Sequence, residues 1–452
     1  MRSWQKIPLS YRADPAPFFK QILGFDYPIW LDSCAHATSG RYDILSASPS
    51  RFYDFHFGDP KQYLEILRQQ NNAQSAIQIG DMFFAGCLGF MNYEFGLALN
   101  SQNCFDVPNS NFPKAWFGFY DWALIVDHHL KQASLIYRAD AVDKHLSIEN
   151  LKQYWSAVSE ENLNFELRSR FESNINFEQY QATIESIKNN ICWGETYQVN
   201  FSQCFSADFT GDPFEAYCIL RQKNPAEYAA FLRTPEGDIL SFSPELLVAA
   251  KHKKLLSKPI KGTAKRYFDE AKDTEQQQQL INCPKNRAEN MMIVDLVRND
   301  LSKISYAESV KVAKFLEIEV MPSVFHLVSS IESQLLDGLD YLDVLNALFP
   351  GGSITGAPKY RTMELITQYE HRQRGIYCGS IGFLSANMEM CFNIAIRTMY
   401  TALQKLYCPA GGGIVYDSDA KAEYQETYDK VAVLTRTFEK VKHEENKIPT
   451  FS

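Results

Sequence analysis

The hydrophobic pattern changes character along the chain. As far as Ser156 it consists of short apolar and aromatic runs: Pro28-Ile-Trp-Leu-Asp-Ser33, Tyr42-Asp-Ile-Leu45, Cys87-Leu-Gly-Phe-Met91, Ala115-Trp-Phe-Gly-Phe-Tyr120 and Trp122-Ala-Leu-Ile-Val126. Turns bearing Gly, Asn or Pro separate several of them, a pattern that predicts antiparallel sheet rather than βαβ units. Ser156 to Asn176 is charged and poor in apolar positions, and reads as a connector. It separates an N-terminal region, residues 1–165, from a second region, residues 175–440.

The second region opens on a helical period. Asn176 caps it with Gln179 as capping-box partner, Tyr180, Ile184, Ile187 and Ile191 form an apolar stripe, and Gly194 ends it. The next run, Thr196 to Phe205, alternates: Tyr197, Val199 and Phe201 face one way, Gln198, Asn200 and Ser202 the other. That polar face is either wet or the lining of a cavity. A helix follows around Asp212 to Gln222, then a hairpin of Tyr228–Leu232 and Ile239–Ser243. Lys285 to Asp300 predicts another helix, with Asp295 and Arg298 as a structural i,i+3 pair. Gly379 to Leu384 and Phe392 to Arg397 predict strands, the second ending on an arginine suited to a carboxylate.

Composition narrows the class. With 452 residues, 45% hydrophobic and 22% charged, the chain reads as globular, of two or three domains or one large one. A net charge of −9 argues against non-specific nucleic-acid binding. Ten scattered cysteines without a C-x-x-C pair, no apolar leader and no membrane-length stretch predict a reduced, cytoplasmic protein that binds neither nucleic acid nor membrane.

The candidate chemistry centres on Ser257-Lys-Pro-Ile-Lys-Gly-Thr-Ala-Lys-Arg266. Lys261 stands between Pro259 and Gly262, with Thr263 beside it. A lysine is a nucleophile only when neutral, which burial or nearby positive charge favours. Lys258, Lys265 and Arg266 are candidate sources of that charge; the bland alternative is a basic surface turn. Glu245, at a strand end among apolar neighbours, is a candidate general acid, or a first-turn carboxylate on a helix. His326 sits among apolar residues, as core histidines do, and His128-His129 reads as structural. Phe349-Pro-Gly-Gly-Ser-Ile-Thr-Gly-Ala-Pro-Lys359 is a Gly-rich loop entering a helix, with Pro358 in its first turn and Ser353 and Thr355 placed for an anion. Its spacing is not that of a Walker A loop. Beyond Gly411-Gly-Gly413, Glu423, Glu426 and Lys430 share one helical face, and the two carboxylates suit a hard divalent ion.

Taken together, the motifs G-E-T-Y-Q-V-N, S-P-E, P-I-K-G-T, R-A-E-N-M-M-I-V-D-L-V-R-N-D, V-F-H-L-V-S, G-G-S-I-T-G-A-P-K, A-I-R-T, G-G-G-I-V-Y-D-S and E-Y-Q-E-T resemble the chorismate-utilising enzymes. That family includes anthranilate synthase component I and the isochorismate and salicylate synthases. The match runs from Phe177 to Arg436; upstream it rests chiefly on Trp30-Leu-Asp-Ser33.

The resemblance implies an α+β fold of two large antiparallel sheets packed as a sandwich with helices outside, the site lying in the C-terminal half. It implies Mg²⁺ on Glu289 and Glu426 with Glu423 nearby, and the substrate's pyruvyl carboxylate near Tyr377, Arg397, Lys430 and the Gly411, Gly412 and Gly413 amides, Ser353 also lining the pocket. Glu245 becomes the acid for the departing C4 hydroxyl, and His326 matches a histidine near the pyruvyl ether. Two positions sort the branches. Gln198 stands where water-using relatives carry lysine, and Lys261 where anthranilate synthases usually carry alanine. The implied reaction is chorismate plus ammonia to 4-amino-4-deoxychorismate, which feeds 4-aminobenzoate and folate. A separate glutamine amidotransferase subunit is the implied ammonia source, and Trp30 to Ser33 raises a tryptophan site in the N-terminal half. Thr263-Ala-Lys-Arg266 departs from the commoner T-R-P-R but keeps the arginine. The rival readings are anthranilate synthase component I and a non-catalytic ligand-binding subunit.

Overall fold

The structure, a computed structural model, describes residues 4–34, 40–73, 76–100, 112–139, 147–157, 164–267, 269–322, 324–387 and 389–438. Two antiparallel sheets organise them, one of 13 strands and one of 10. The larger runs Trp4–Leu9, Gln132–Arg138, Trp122–Asp127, Tyr42–Ser46, Ile29–Asp32, Tyr228–Thr234, Gly237–Ser243, Thr398–Ala402, Lys405–Ile414, Gln198–Gly211 and Phe165–Leu167, with two short strands beside this path. The second includes Ile260–Lys265, Val324–Gln334, Lys254–Lys258, Leu246–Lys251, Glu389–Asn393, Ser380–Ser385 and Cys87–Met91 in that order. Both sheets draw strands from the N-terminal region and from the second region, and the predicted connector itself contributes the strand Phe165–Leu167 to the larger sheet.

The sheets face each other across an apolar layer that includes Ile44, Phe90, Trp116, Leu232 and Ile381. Helices pack outside the sheets through residues such as Phe19, Phe214 and Val431 in one apolar cluster and Ile184, Ile293 and Leu345 in another. The expected α+β sandwich with external helices is the fold observed. Among the described residues, no helix is long and apolar enough to cross a membrane.

Local signals explain the elements near the site. The helix Phe177–Cys192 carries the expected capping box, Asn176 Oδ1 accepting from Gln179 N at 2.9 Å and Gln179 Oε1 from Asn176 N at 3.0 Å. Such a cap contributes about 1 kcal/mol. Gly194, with φ +77, takes the left-handed turn beyond its end. The alternating strand is Gln198–Gly211, and its polar face is not wet: Gln198, Asn200 and Ser202 are all buried. The helix Lys359–Glu370 covers it, and its last residue, Glu370, accepts from Ser202 N at 2.8 Å.

Two corners set the site. The chain leaves the larger sheet after Ser243 and joins the second at Leu246, with Glu245 in the gap. It returns between Asn393 and Thr398, with Arg397 in that gap. The corners bond to each other, Ile394 N to Glu245 O at 2.9 Å and Phe242 N to Arg397 O at 3.0 Å. The strand predicted to end on Arg397 therefore ends at Asn393, because the chain must turn to change sheets. Pro358, expected inside the first helical turn, is instead the extended residue preceding Lys359–Glu370.

Candidate active site

Lys261 lies in the strand Ile260–Lys265, not in a surface turn. Gly262, at φ +107, supplies a left-handed conformation where the ladder register to Val324–Gln334 shifts. Lys261 is half-buried and donates to Ser353 O at 2.9 Å. Burial lowers its pKa; Glu289 and Glu245 pull it back up, while Lys430 lowers it further. The cations proposed from the sequence point elsewhere. Lys258 pairs with Glu319, Arg266 with Asp273, and Lys265 lies over the Tyr267 ring. The positive charge acting on Lys261 comes from Lys430, 169 positions along the chain and invisible to local spacing.

Glu245 is buried at 3% exposure and accepts from Ser353 Oγ at 2.7 Å. Burial raises its pKa, against the opposing pulls of the Ser353 hydroxyl and Lys261. Ser353 thus touches both groups, through its hydroxyl and its carbonyl. The expectation that Ser353 and Thr355 would offer hydroxyls to an anion is not met, since Thr355 Oγ1 donates to Gly351 O. Both hydroxyls are used internally, which shapes the loop.

His326 is buried beside Arg397, and its pKa falls to about 4, burial acting first and the guanidinium second. Thr263, its ladder partner, is exposed. Arg397 has φ +52, a backbone strain held by the corner, and donates from Nη1 to the Lys430 carbonyl. Tyr377 is buried against the Arg374 guanidinium.

Gly411, Gly412 and Gly413 lie within the strand Lys405–Ile414, opposite Ser202, Phe201 and Asn200. A Cβ at Gly413 would stand 2.1 Å from Gln198 Nε2, and one at Gly412 would stand 3.1 Å from Glu423 Oε2. These positions leave room for side chains that converge from across the sheet and from the helix Ala420–Arg436. Among the described residues, neither polar atom of Gln198 has a hydrogen-bond partner, although the side chain is buried. A buried, unpaired carboxamide is costly, and a polar ligand would satisfy it.

The carboxylates meet lysines. Lys430 bridges Glu426 Oε1 at 2.6 Å and Gly411 O at 2.8 Å. Lys285 stands 3.2 Å from Glu423 and 4.0 Å from Glu289, and Ser418 Oγ donates to Glu423 at 2.7 Å. Burial raises the Glu289 pKa, and Glu423 and Glu426 add to that; Glu426 is lowered overall, Lys430 and Lys285 outweighing its burial. Among the described residues no three His, Cys, Asp or Glu side chains form a group that could hold a metal. The donor set nonetheless fits a hard cation. Glu423 and Glu426 line the space at Gly412, Glu289 feels the charge of both, and lysine ammoniums stand against all three.

Two groups escaped the sequence reading. Glu370 and Arg374 form a buried ion pair behind the pocket, and Arg374 reaches the carbonyl of Asn200, 174 positions away.

Residues 27–436 of this two-sheet fold match the model of the chorismate binding enzyme family, and the chain belongs to that family. The chain is 39% identical to aminodeoxychorismate synthase component 1 of Escherichia coli (strain K12), covering 92% of this chain and 90% of that protein. It is 41% identical to the protein of the same name from Klebsiella aerogenes, covering 95% and 98%. Among solved structures it resembles anthranilate synthase component I from Streptococcus pneumoniae, with a TM-score of 0.74 and 31% identity over 88% of this chain and 92% of that one.

Proposed function

We propose that this protein aminates chorismate at C4, giving 4-amino-4-deoxychorismate for 4-aminobenzoate and folate synthesis. The observation that carries the reading is Lys261, half-buried and shifted toward its neutral form, sharing Ser353 with Glu245. The relatives of 39% and 41% identity, both named for this activity, support it. Their designation as component 1 supports a second component, which we assign as a glutamine amidotransferase that delivers ammonia.

In this reading Lys261 Nζ attacks C2 of chorismate, both ring double bonds shift by one bond, and the C4–O bond breaks. Glu245 gives its proton to the hydroxyl, which leaves as water. Ammonia then bonds to C4, the electrons shift back, and Lys261 departs as the free amine. The proton lost by the new ammonium group restores Glu245. Arg397, Lys430, Tyr377 and the Gly411 to Gly413 backbone hold the pyruvyl carboxylate, and neutral His326 faces the ether. Gln198, uncharged, does not activate water as a lysine there would. Glu289 and Glu426, with Glu423 nearby, are the residues for Mg²⁺. When bound, the ion offsets the charge of the ring carboxylate.

A second observation supports a tryptophan site. A cavity of about 380 Å³ lies between the sheets, lined by Leu31, Asp32, Ser33, Tyr228, Phe383 and Asn393 among others, a size suited to a small ligand. Asp32 is fixed there by Arg221 Nε and Tyr217 Oη, both at 2.7 Å.

The test is product analysis with chorismate, Mg²⁺ and an ammonium salt. A non-aromatic amine that keeps the enolpyruvyl group is expected. Fluorescent anthranilate with released pyruvate would overturn the assignment in favour of the anthranilate reading.

A further inference from the structure

We propose that Arg374 is the positioning residue of this site: from behind the pocket it fixes the peptide next to Ser353, and thereby the shared hold of Ser353 on Glu245 and Lys261. Arg374 is 1% exposed. Its Nη1 donates to Ile354 O at 3.0 Å, and its Nη2 to Asn200 O at 2.6 Å. Nε and Nη2 form a fork on Glu370, at 3.0 and 2.6 Å. Glu370 in turn accepts from Ser202 N and Oγ, at 2.8 and 2.7 Å. One guanidinium therefore joins the Gly-rich loop, the strand that carries Gln198 and the last residue of the helix Lys359–Glu370.

The side chain is held from both sides. The Tyr93 ring lies 4.6 Å from the guanidinium carbon and the Tyr377 ring 5.9 Å. Glu94, beside Tyr93, accepts from Arg374 N at 2.7 Å and from Gly375 N at 3.1 Å. The N-terminal half thus clasps the arginine that supports the catalytic loop. Arg374 does not face the lysine or the acid. Its influence passes through the Ile354 carbonyl, one peptide from Ser353, whose Oγ and O hold Glu245 and Lys261 at 2.7 and 2.9 Å. A planar five-donor fork is needed to reach all these acceptors, and lysine cannot reproduce it.

The proposal rests on the assignment of Lys261 and Glu245 made above. Its test compares wild type, Arg374→Lys, Ser353→Ala and the double variant, following chorismate consumption with an ammonium salt and separating the products. Arg374→Lys is expected to lower kcat about 100-fold, the scale of a misplacement of about 1 Å, with KM changed less than about threefold. In the Ser353→Ala background the same change is expected to cost less than in the wild type, because the hydroxyl's hold on Glu245 is already gone and only the carbonyl's hold on Lys261 remains to be lost. Unchanged kcat in Arg374→Lys, a rise in KM alone, or losses that multiply in the double variant would each overturn the proposal. Should Arg374→Lys not fold, Tyr93→Leu, which frees one face of the guanidinium and leaves its hydrogen bonds, decides by the same kcat and KM criteria. A wild-type product other than 4-amino-4-deoxychorismate overturns the assigned reaction instead, while the comparison of consumption rates still decides the role of Arg374.

Discussion

Ser353 donates its hydroxyl to Glu245 at 2.7 Å. That bond, together with one from the Ile260 backbone, fixes the carboxyl and makes the acid dependent on the buried turn Gly352–Ile354. Glu245→Gln keeps the shape and the bond but cannot give a proton. Turnover is expected to fall by about 10² to 10⁴, the usual worth of a general acid, while chorismate binding measured without ammonia persists. Loss of binding along with turnover would mean that the residue holds the substrate instead.

The metal assignment predicts a sharp asymmetry. Glu426→Gln should nearly abolish turnover, because an amide is a poor ligand for a hard cation, yet the protein should fold. Lys430 then loses its 2.6 Å partner, an exposed-side pair worth little to stability. Steady-state assays in thorough chelator, beside a thermal melt of the variant, check both halves. Full activity in chelator contradicts the assignment.

Gln198 predicts what happens when ammonia is withheld. The carboxamide carries no charge and cannot act as the base a lysine would provide, so isochorismate and salicylate should stay near background. Chromatography of an ammonia-free incubation checks this, and abundant isochorismate would refute the reading.

His326 predicts a pH dependence of stability. Its folded pKa of about 4 lies below the ordinary value near 6.5, so between these pH values the unfolded chain binds more protons. Stability therefore falls as the pH drops from about 6.5 toward 4, by up to about 3 kcal/mol from this residue alone. Denaturant melts at several pH values, comparing wild type with His326→Gln, should show a shallower acid slope in the variant. Equal slopes would show that His326 does not carry the effect.

Much of this was legible in sequence because the signals are local. The Asn176–Gln179 capping box lies within four residues, and Pro259, Lys261 and Gly262 sit side by side. The Glu423, Glu426 and Lys430 face follows from helical spacing alone. What was missed is long-range. Arg374 meets Asn200 across 174 positions, and Lys285 meets Glu423 across 138. Spacing could not show that the polar face of Gln198, Asn200 and Ser202 is sealed, because its cover is a helix more than 150 residues away. Nor could it show where the cations nearest to Lys261 point, since Lys258, Lys265 and Arg266 find partners outside the site.

The role of Lys261 is the central claim, and a covalent bond is its most direct mark. Enzyme mixed with chorismate and no ammonia, quenched in acid and weighed intact, should carry an adduct of chorismate less one water, mapped by peptide analysis to Lys261. The adduct should vanish in Lys261→Arg, which keeps the charge but not the nucleophile. Unmodified wild-type enzyme under every quench, together with an Lys261→Arg variant that turns over at the wild-type rate, would contradict the account.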